Sequence, residues 1–269
     1  MNNKIVDIHV HVYPEYLSKK AAERLENRYD IRFVARPCLE DLLESMKSSK
    51  ISHSIIQPVS TSIGQVKPIN DWLVSVVKKY SSKIGAFGTI YPGMSNYRKE
   101  IEKIKLGGLS GIKMHPNFQK FFPHEEIMFP IYRELIKNDL WVLFHSGYEI
   151  APIEKIYAEI DSFLILRDRF PQLKIILAHM GGYKVWDEVE DKIIGKEFYL
   201  DLSYTMGFLN SDRIKLFIDK HGPDKIFFGS DFPIASVKEQ VESFFRLELG
   251  KEIDDKILYL NAKKEILES

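Results

Sequence analysis

A single cysteine, Cys38, among 269 residues excludes an internal disulfide and points to a reducing compartment. Neither sign of charge is in excess. Lys and Arg together number 38, as do Asp and Glu, which excludes the basic surplus of a polyanion-binding protein. No apolar run approaches the roughly 20 residues that span a bilayer. The opening "MNNKIVDIHV" enters an apolar segment directly, without the basic region and long apolar stretch of a leader. These absences predict a cytoplasmic protein with no membrane and no nucleic-acid partner. Proline is limited to 12 residues, and no low-complexity tract or shift in composition marks a boundary. Residues 1–269 therefore read as one domain.

What the sequence does have is a repeated alternation. Eight short apolar runs stand out: "KIVDIHVHV", "HSIIQPV", "IGAFGTI", "GIKMHP", "WVLFHSG", "KIILAHMGG", "FYLDLSY" and "KIFFGSDFP". Most are nearly continuous in Val, Ile, Leu or Phe, as parallel strands covered on both faces should be. Amphipathic stretches separate them. "NDWLVSVVKKY" opens with an Asn-Asp cap signal, "SNYRKEIEKIKLGG" stops at Gly107-Gly108, and "SDRIKLFIDKHG" stops at Gly222. Eight βα units of about 30 residues predict a closed (β/α)8 barrel of the TIM type. An open doubly wound sheet is the competing architecture, but no glycine-rich turn follows the first strand. Residues 12–36 are additional material between the first strand and its helix, on the face where barrel active sites lie.

The unusual polar residues fall where that fold needs them. His9 and His11 share one face of the first strand. Lys113 and His115 lie at the fourth, His145 ends the fifth, His179 the sixth and Asp231 the eighth. Singly, each has a bland reading: a hydrogen-bonded structural histidine, a turn-forming aspartate, an outward lysine. Those readings would have to hold independently at five strands. His53, His124 and His221 lack such placement and read as solvated or capping residues.

The ordered set His-x-His, His, His and Asp resembles the amidohydrolase superfamily of metal-dependent barrels. The forms "VDIHVH", "GIKMHP", "LAHMGG", "GSDFP" and "LNAKKEIL" are most similar to its amidohydrolase-related branch, which includes hydrolases, lactonases and non-oxidative decarboxylases. The resemblance runs from residue 4 to 267. It implies Zn²⁺ held by His9, His11, His145 and Asp231, with an open position for substrate. It assigns Asp231 the proton of an attacking water and gives His179 an oxyanion-stabilising or proton-transfer role. One metal is favoured. Two would follow if Lys113 were carboxylated, with His145 and His179 on the second.

Lys113, His115, Asn117 and Tyr13 are expected to bind substrate, with Gln119 and Tyr204 as further candidates. Arg24, Arg28, Arg32 and Arg36 are available to clamp a carboxylate. Phe118, Phe121 and Phe122 are candidate pocket walls. The favoured function is a hydrolase of a small ester, lactone or amide. The alternative is a non-oxidative decarboxylase of an aromatic or unsaturated acid, and a barrel without turnover is the third reading. The expected partner is a small-molecule substrate, with a homodimer as an allowed assembly.

Overall fold

A computed structural model describes residues 4–268. Eight parallel strands follow one another around a barrel: β1 (Val6–Val10), β2 (His53–Ile56), β3 (Ile84–Ala86 and Gly88–Thr89, interrupted at Phe87), β4 (Gly111–Met114), β5 (Trp141–Phe144), β6 (Lys174–Leu177), β7 (Tyr199–Asp201) and β8 (Ile226–Phe227). Each pairs in parallel with the next in sequence. The interrupted third strand is joined across its break, because Phe87 N donates to Ile56 O and Ser110 N to Ala86 O. The seam between β8 and β1 closes through Ile8 N to Phe228 O at 3.0 Å and a parallel bridge between Val10 and Phe232. All eight expected strands form, and the closed barrel excludes the open sheet.

The helices are α1 (Glu15–Tyr29), α2 (Leu39–Ser48), α3 (Ile63–Tyr80), α4 (Tyr97–Leu106), α5 (Pro116–Gln119), α6 (Phe129–Lys137), α7 (Ile160–Arg169), α8 (Trp186–Lys192), α9 (Ser211–His221), α10 (Val237–Phe245) and α11 (Lys251–Asp255). The last continues as wide turns to Leu267. The stops at Gly107 and Gly222 are as expected. The start of α3 is not. The helix begins seven residues before Asn70, so the Asn-Asp pair caps nothing. Asn70 instead turns inward: Oδ1 accepts from Thr89 N, and Nδ2 donates to Thr89 O and Glu100. A buried amide with every group satisfied pins α3 to β3 and α4.

Two apolar layers result. Between the strands and the outer helices lies the larger cluster, containing Val10, Leu42, Ile112, Phe144 and Phe163 among others. Lys113, Leu143 and Ile176 stand in register on three adjacent strands and so share one face. That face is the barrel interior, where Leu143 and Ile176 join Ile8, Ile55, Phe87, Trp141 and Phe227. Ala262 and Ile266 close it from the chain's end, and Trp141 Nε1 donates to Glu265 O there. The apolar filling below leaves the polar residues to the other end of the strands. The additional segment 12–36 contains α1, whose buried residues are Ser18 and Tyr29.

Candidate metal centre

In β1 the register slips between Asp7 and Val10. A bulge of this kind removes backbone groups from the ladder and re-aims side chains. Asp7 repairs the loss, with Oδ1 accepting from His9 N at 3.2 Å and Ser230 N at 2.9 Å. Burial pushes its carboxyl up to about 7.

His9, wholly buried, places Nδ1 2.8 Å from Asp201 Oδ2 and 2.9 Å from Ser203 Oγ. A carboxylate oxygen only accepts, so Nδ1 carries the ring proton and Nε2 is bare. His11 Nδ1 meets the Gln57 carbonyl at 2.6 Å, which fixes the same tautomer. The two Nε2 atoms face Asp231 Oδ1 at 3.6 and 3.1 Å, and that oxygen has no hydrogen donor. The three ligand atoms lie within 4.8 Å of one another. Lys113 Nζ reaches His9 Nε2 at 3.1 Å, but His11 Nε2 and Asp231 Oδ1 turn lone pairs on each other at 3.1 Å, and these repel unless a cation sits among them. The donor set, two imidazoles and a carboxylate, fits a metal ion. Burial alone would raise the Asp231 carboxyl, yet it stands below the ordinary carboxylate range and is ionised.

A second pair of nitrogens adjoins the first set. His145 donates Nε2–H to Tyr148 O at 2.8 Å, and His179 donates Nδ1–H to Ser203 O at 2.9 Å. This leaves His145 Nδ1 and His179 Nε2 bare and 3.0 Å apart. The rings of His9 and His179 are 5.5 Å apart between centroids. Burial pushes His145 down to about 3, His179 to about 4, and His9 well below 6.5, so all three are neutral near pH 7. His179 and Asp231 adopt φ of 59° and 66°, a left-handed conformation that costs non-glycine residues about 1–3 kcal/mol each. Strain of that size at both positions fits residues held for their direction.

Lys113 points into the barrel, its Nζ 3.1 Å from His9 Nε2, which excludes the outward orientation. Burial lowers its ammonium to about 8. Tyr13 is raised to about 12 by burial, with Asp231 beside it adding to the shift. His115 stacks between Phe118 (3.9 Å) and His145 (4.1 Å), and its buried Nδ1 has no partner.

Other candidates are placed differently from expectation. Asn117 donates to Gly147 O and Glu149 and accepts from Tyr157 N and Ala158 N, which leaves nothing for a substrate. Gln119 is spent likewise on Ser60 O, Ile90 O and His115 N. Arg32 and Arg36 pair with Glu26, Glu40 and Asp41 at the surface, Arg24 is exposed, and Arg28 lies over the Phe118 ring. Phe121 is buried in the core rather than lining a pocket, and Lys155 covers Phe122. His221 is buried rather than solvated. Its Nε2 donates to Phe198 O and its Nδ1 accepts from Gly195 N.

Sequence reasoning missed Asp7, Asp201, Ser203 and Glu149. Asp-x-Ser in "FYLDLSY" repeats the two-residue spacing of His-x-His inside an apolar strand, and Asp7 extends that spacing to Asp-x-His-x-His. Both signals were readable. Glu149 lies in a loop, where no periodicity marks it.

No curated protein matches the chain by sequence. Solved structures do match in fold. An uncharacterized TIM-barrel protein from Bordetella bronchiseptica aligns with a TM-score of 0.78 at 19% identity, covering 97% of each chain. The 5-carboxyvanillate decarboxylase LigW2 of Novosphingobium aromaticivorans, solved with bound manganese, aligns with a TM-score of 0.76 at 15% identity over 99% of this chain and 97% of that one. A 2,6-dihydroxybenzoate decarboxylase from Rhizobium aligns at 0.71 and 16% identity over 97% and 98%. At these identities the likeness is one of fold. The amidohydrolase family model matches residues 6–264, nearly the whole chain, and with it the chain belongs to the amidohydrolase family, whose members depend on metal.

Proposed function

We propose that the protein is a metal-dependent hydrolase of a small ester, lactone or amide, holding one Zn²⁺ with His9, His11, His145 and Asp231. The observation that carries this reading is the bare Asp231 Oδ1, set against His9 and His11 with no hydrogen donor. A metal held there would lower the pKa of a water and polarise the scissile carbonyl. Asp231 takes a proton from the water as its oxygen attacks the carbonyl carbon. The bond to the leaving oxygen or nitrogen breaks, and Asp231 returns the proton to the leaving group. Asp201 and Ser203 hold His9 in the tautomer that offers Nε2. His179 steadies the carbonyl oxygen as it gains charge, and Lys113 offsets that charge or a substrate carboxylate.

Decarboxylation needs a proton donor poised at carbon. Here Asp231 is ionised and suited to take a proton from water, while the Lys113 ammonium, lowered to about 8, is engaged with His9 Nε2 at 3.1 Å. The test is a panel of lactones, esters, amides and aromatic acids with product identification on metal-loaded protein. Release of an alcohol or amine together with the acid is expected. Release of CO₂ from an aromatic acid, with no hydrolysis in the panel, would overturn the proposal in favour of a decarboxylase like the two structural neighbours.

A further inference from the structure

Helix α1 belongs to the segment that the barrel itself does not require, yet its last residue reaches the centre of the site. Tyr29, 9% exposed, donates its hydroxyl to Glu149 Oε2 at 3.0 Å. Glu149 is itself only 4% exposed. Its Oε1 accepts from Asn117 Nδ2 at 2.9 Å and lies 3.3 Å from His145 Nε2. The same ring is gripped on its flat side. Arg28 lies 4.7 Å over Phe118, Phe118 stacks on His115 at 3.9 Å and 4°, and His115 stacks on His145 at 4.1 Å and 7°. Two consecutive residues of α1 thus connect to His145 indirectly, Tyr29 through Glu149 at its edge and Arg28 through the Phe118 and His115 rings at its face.

The compact group His115, His145 and Glu149 invites a second cation, its ligand atoms lying within 4.8 Å. The hydrogen bonding argues otherwise. His145 Nε2 carries a proton, because it donates to Tyr148 O, and a protonated nitrogen does not ligate a metal. Glu149 Oε1 lies 3.3 Å from that nitrogen without a hydrogen bond to it, and its negative charge favours the proton on Nε2 that Tyr148 O accepts. Its chemistry is that of a carboxylate fixing a ligating histidine.

We propose that Glu149 and Tyr29 are positioning residues: they tie α1 to His145 and hold its Nδ1 turned toward His179 and the metal position. The proposal rests on the reading of His145 as a metal-holding residue. The single variants Tyr29→Phe and Glu149→Gln preserve size, and the double variant tests whether they act as one unit. Zn²⁺ affinity is read by competition with a chromophoric chelator, and the His145 tautomer by ¹⁵N NMR of the imidazole. Glu149→Gln is expected to weaken Zn²⁺ binding by about tenfold. Tyr29→Phe should weaken it less, and the double variant should be no weaker than Glu149→Gln alone. Both singles should add a second tautomer to the His145 signals. Losses that multiply in the double variant, or an unchanged affinity and tautomer in both singles, would overturn the proposal. Neither readout uses a substrate, so failure of the hydrolase assay is distinguishable from failure of this link.

Discussion

Gly229 stands two residues beyond the end of β8 and two before Asp231. A Cβ added there would lie 2.9 Å from His9 Cβ and 3.2 Å from Ser203 Cβ. Carbon atoms pack at about 3.5–4.0 Å, so the shortfall against His9 is roughly 0.6–1 Å. Gly229 is not among the glycines of positive φ, so the effect of Gly229→Ala is steric alone. His9 cannot retreat freely, because Asp201 and Ser203 hold its Nδ1 and the side chain is wholly buried. Overpacking of this kind costs about 1–3 kcal/mol. In a chain of this size that lowers Tm by roughly 2–12 °C. A displacement of His9 approaching ~1 Å also lowers turnover by on the order of 100-fold. Scanning calorimetry with and without metal measures the first effect, and chelator competition reads the misplaced ligand directly. Gly64→Ala is the control: no atom lies within 4 Å of its Cβ, and inside α3 it should stabilise by about 0.5–1 kcal/mol. A Gly229→Ala protein with Tm within about 1 °C of the parent and unchanged metal affinity would refute the reasoning.

Three further outcomes follow from the geometry. Asp201→Asn should weaken metal binding about 10–100-fold with the fold retained, because His9 loses the acceptor that fixes its tautomer; equal affinity by chelator competition would refute this. Asp231→Asn, compared at equal metal content, should lower kcat by roughly 10²–10⁴-fold with far less effect on KM, since an amide oxygen can still face the metal but cannot take the proton. Burial holds His221 below the ordinary histidine value of 6.5. The unfolded chain therefore takes up a proton as pH falls through 6.5 while the folded chain resists it, so the stability tied to neutral His221 is present above 6.5 and is lost below it. His221→Gln should lower Tm at about pH 7.5 yet show a shallower decline between about pH 6.5 and 5, and parallel Tm–pH curves would refute the assignment.

The strands were legible because each is buried on both faces, and that burial demands a continuous apolar run whatever the loops do. The end of each run also marked where His145, His179 and Asp231 would stand. The first turns of α3 were not legible. Asn70 is an ordinary cap residue by type, and only its contacts with Thr89 and Glu100 from other units make it an interior bracket. Asn117 misled for a related reason: polarity at the mouth of a barrel suggests substrate, whereas its amide is consumed in holding the loop around Glu149 and Ala158. Glu149 owes its burial to Tyr29 and Asn117, which are remote in sequence, so no local pattern carries it.

The seam between β8 and β1 has a consequence for when the site can exist. Asp7 and Ser230, joined by one hydrogen bond, are 223 positions apart. Asp231 N also donates to His9 O at 2.9 Å across that seam, and His11 N donates to Phe232 O at 2.6 Å. Bringing together the ends of so long a loop costs about 5 kcal/mol of chain entropy. His9 and His11 stand on one side of the join and Asp231 on the other, so a metal held by the three would clasp the two ends of the chain together. A chain cut short before residue 230 would lose every one of these bonds across the seam, and with them the carboxylate that faces His9 and His11.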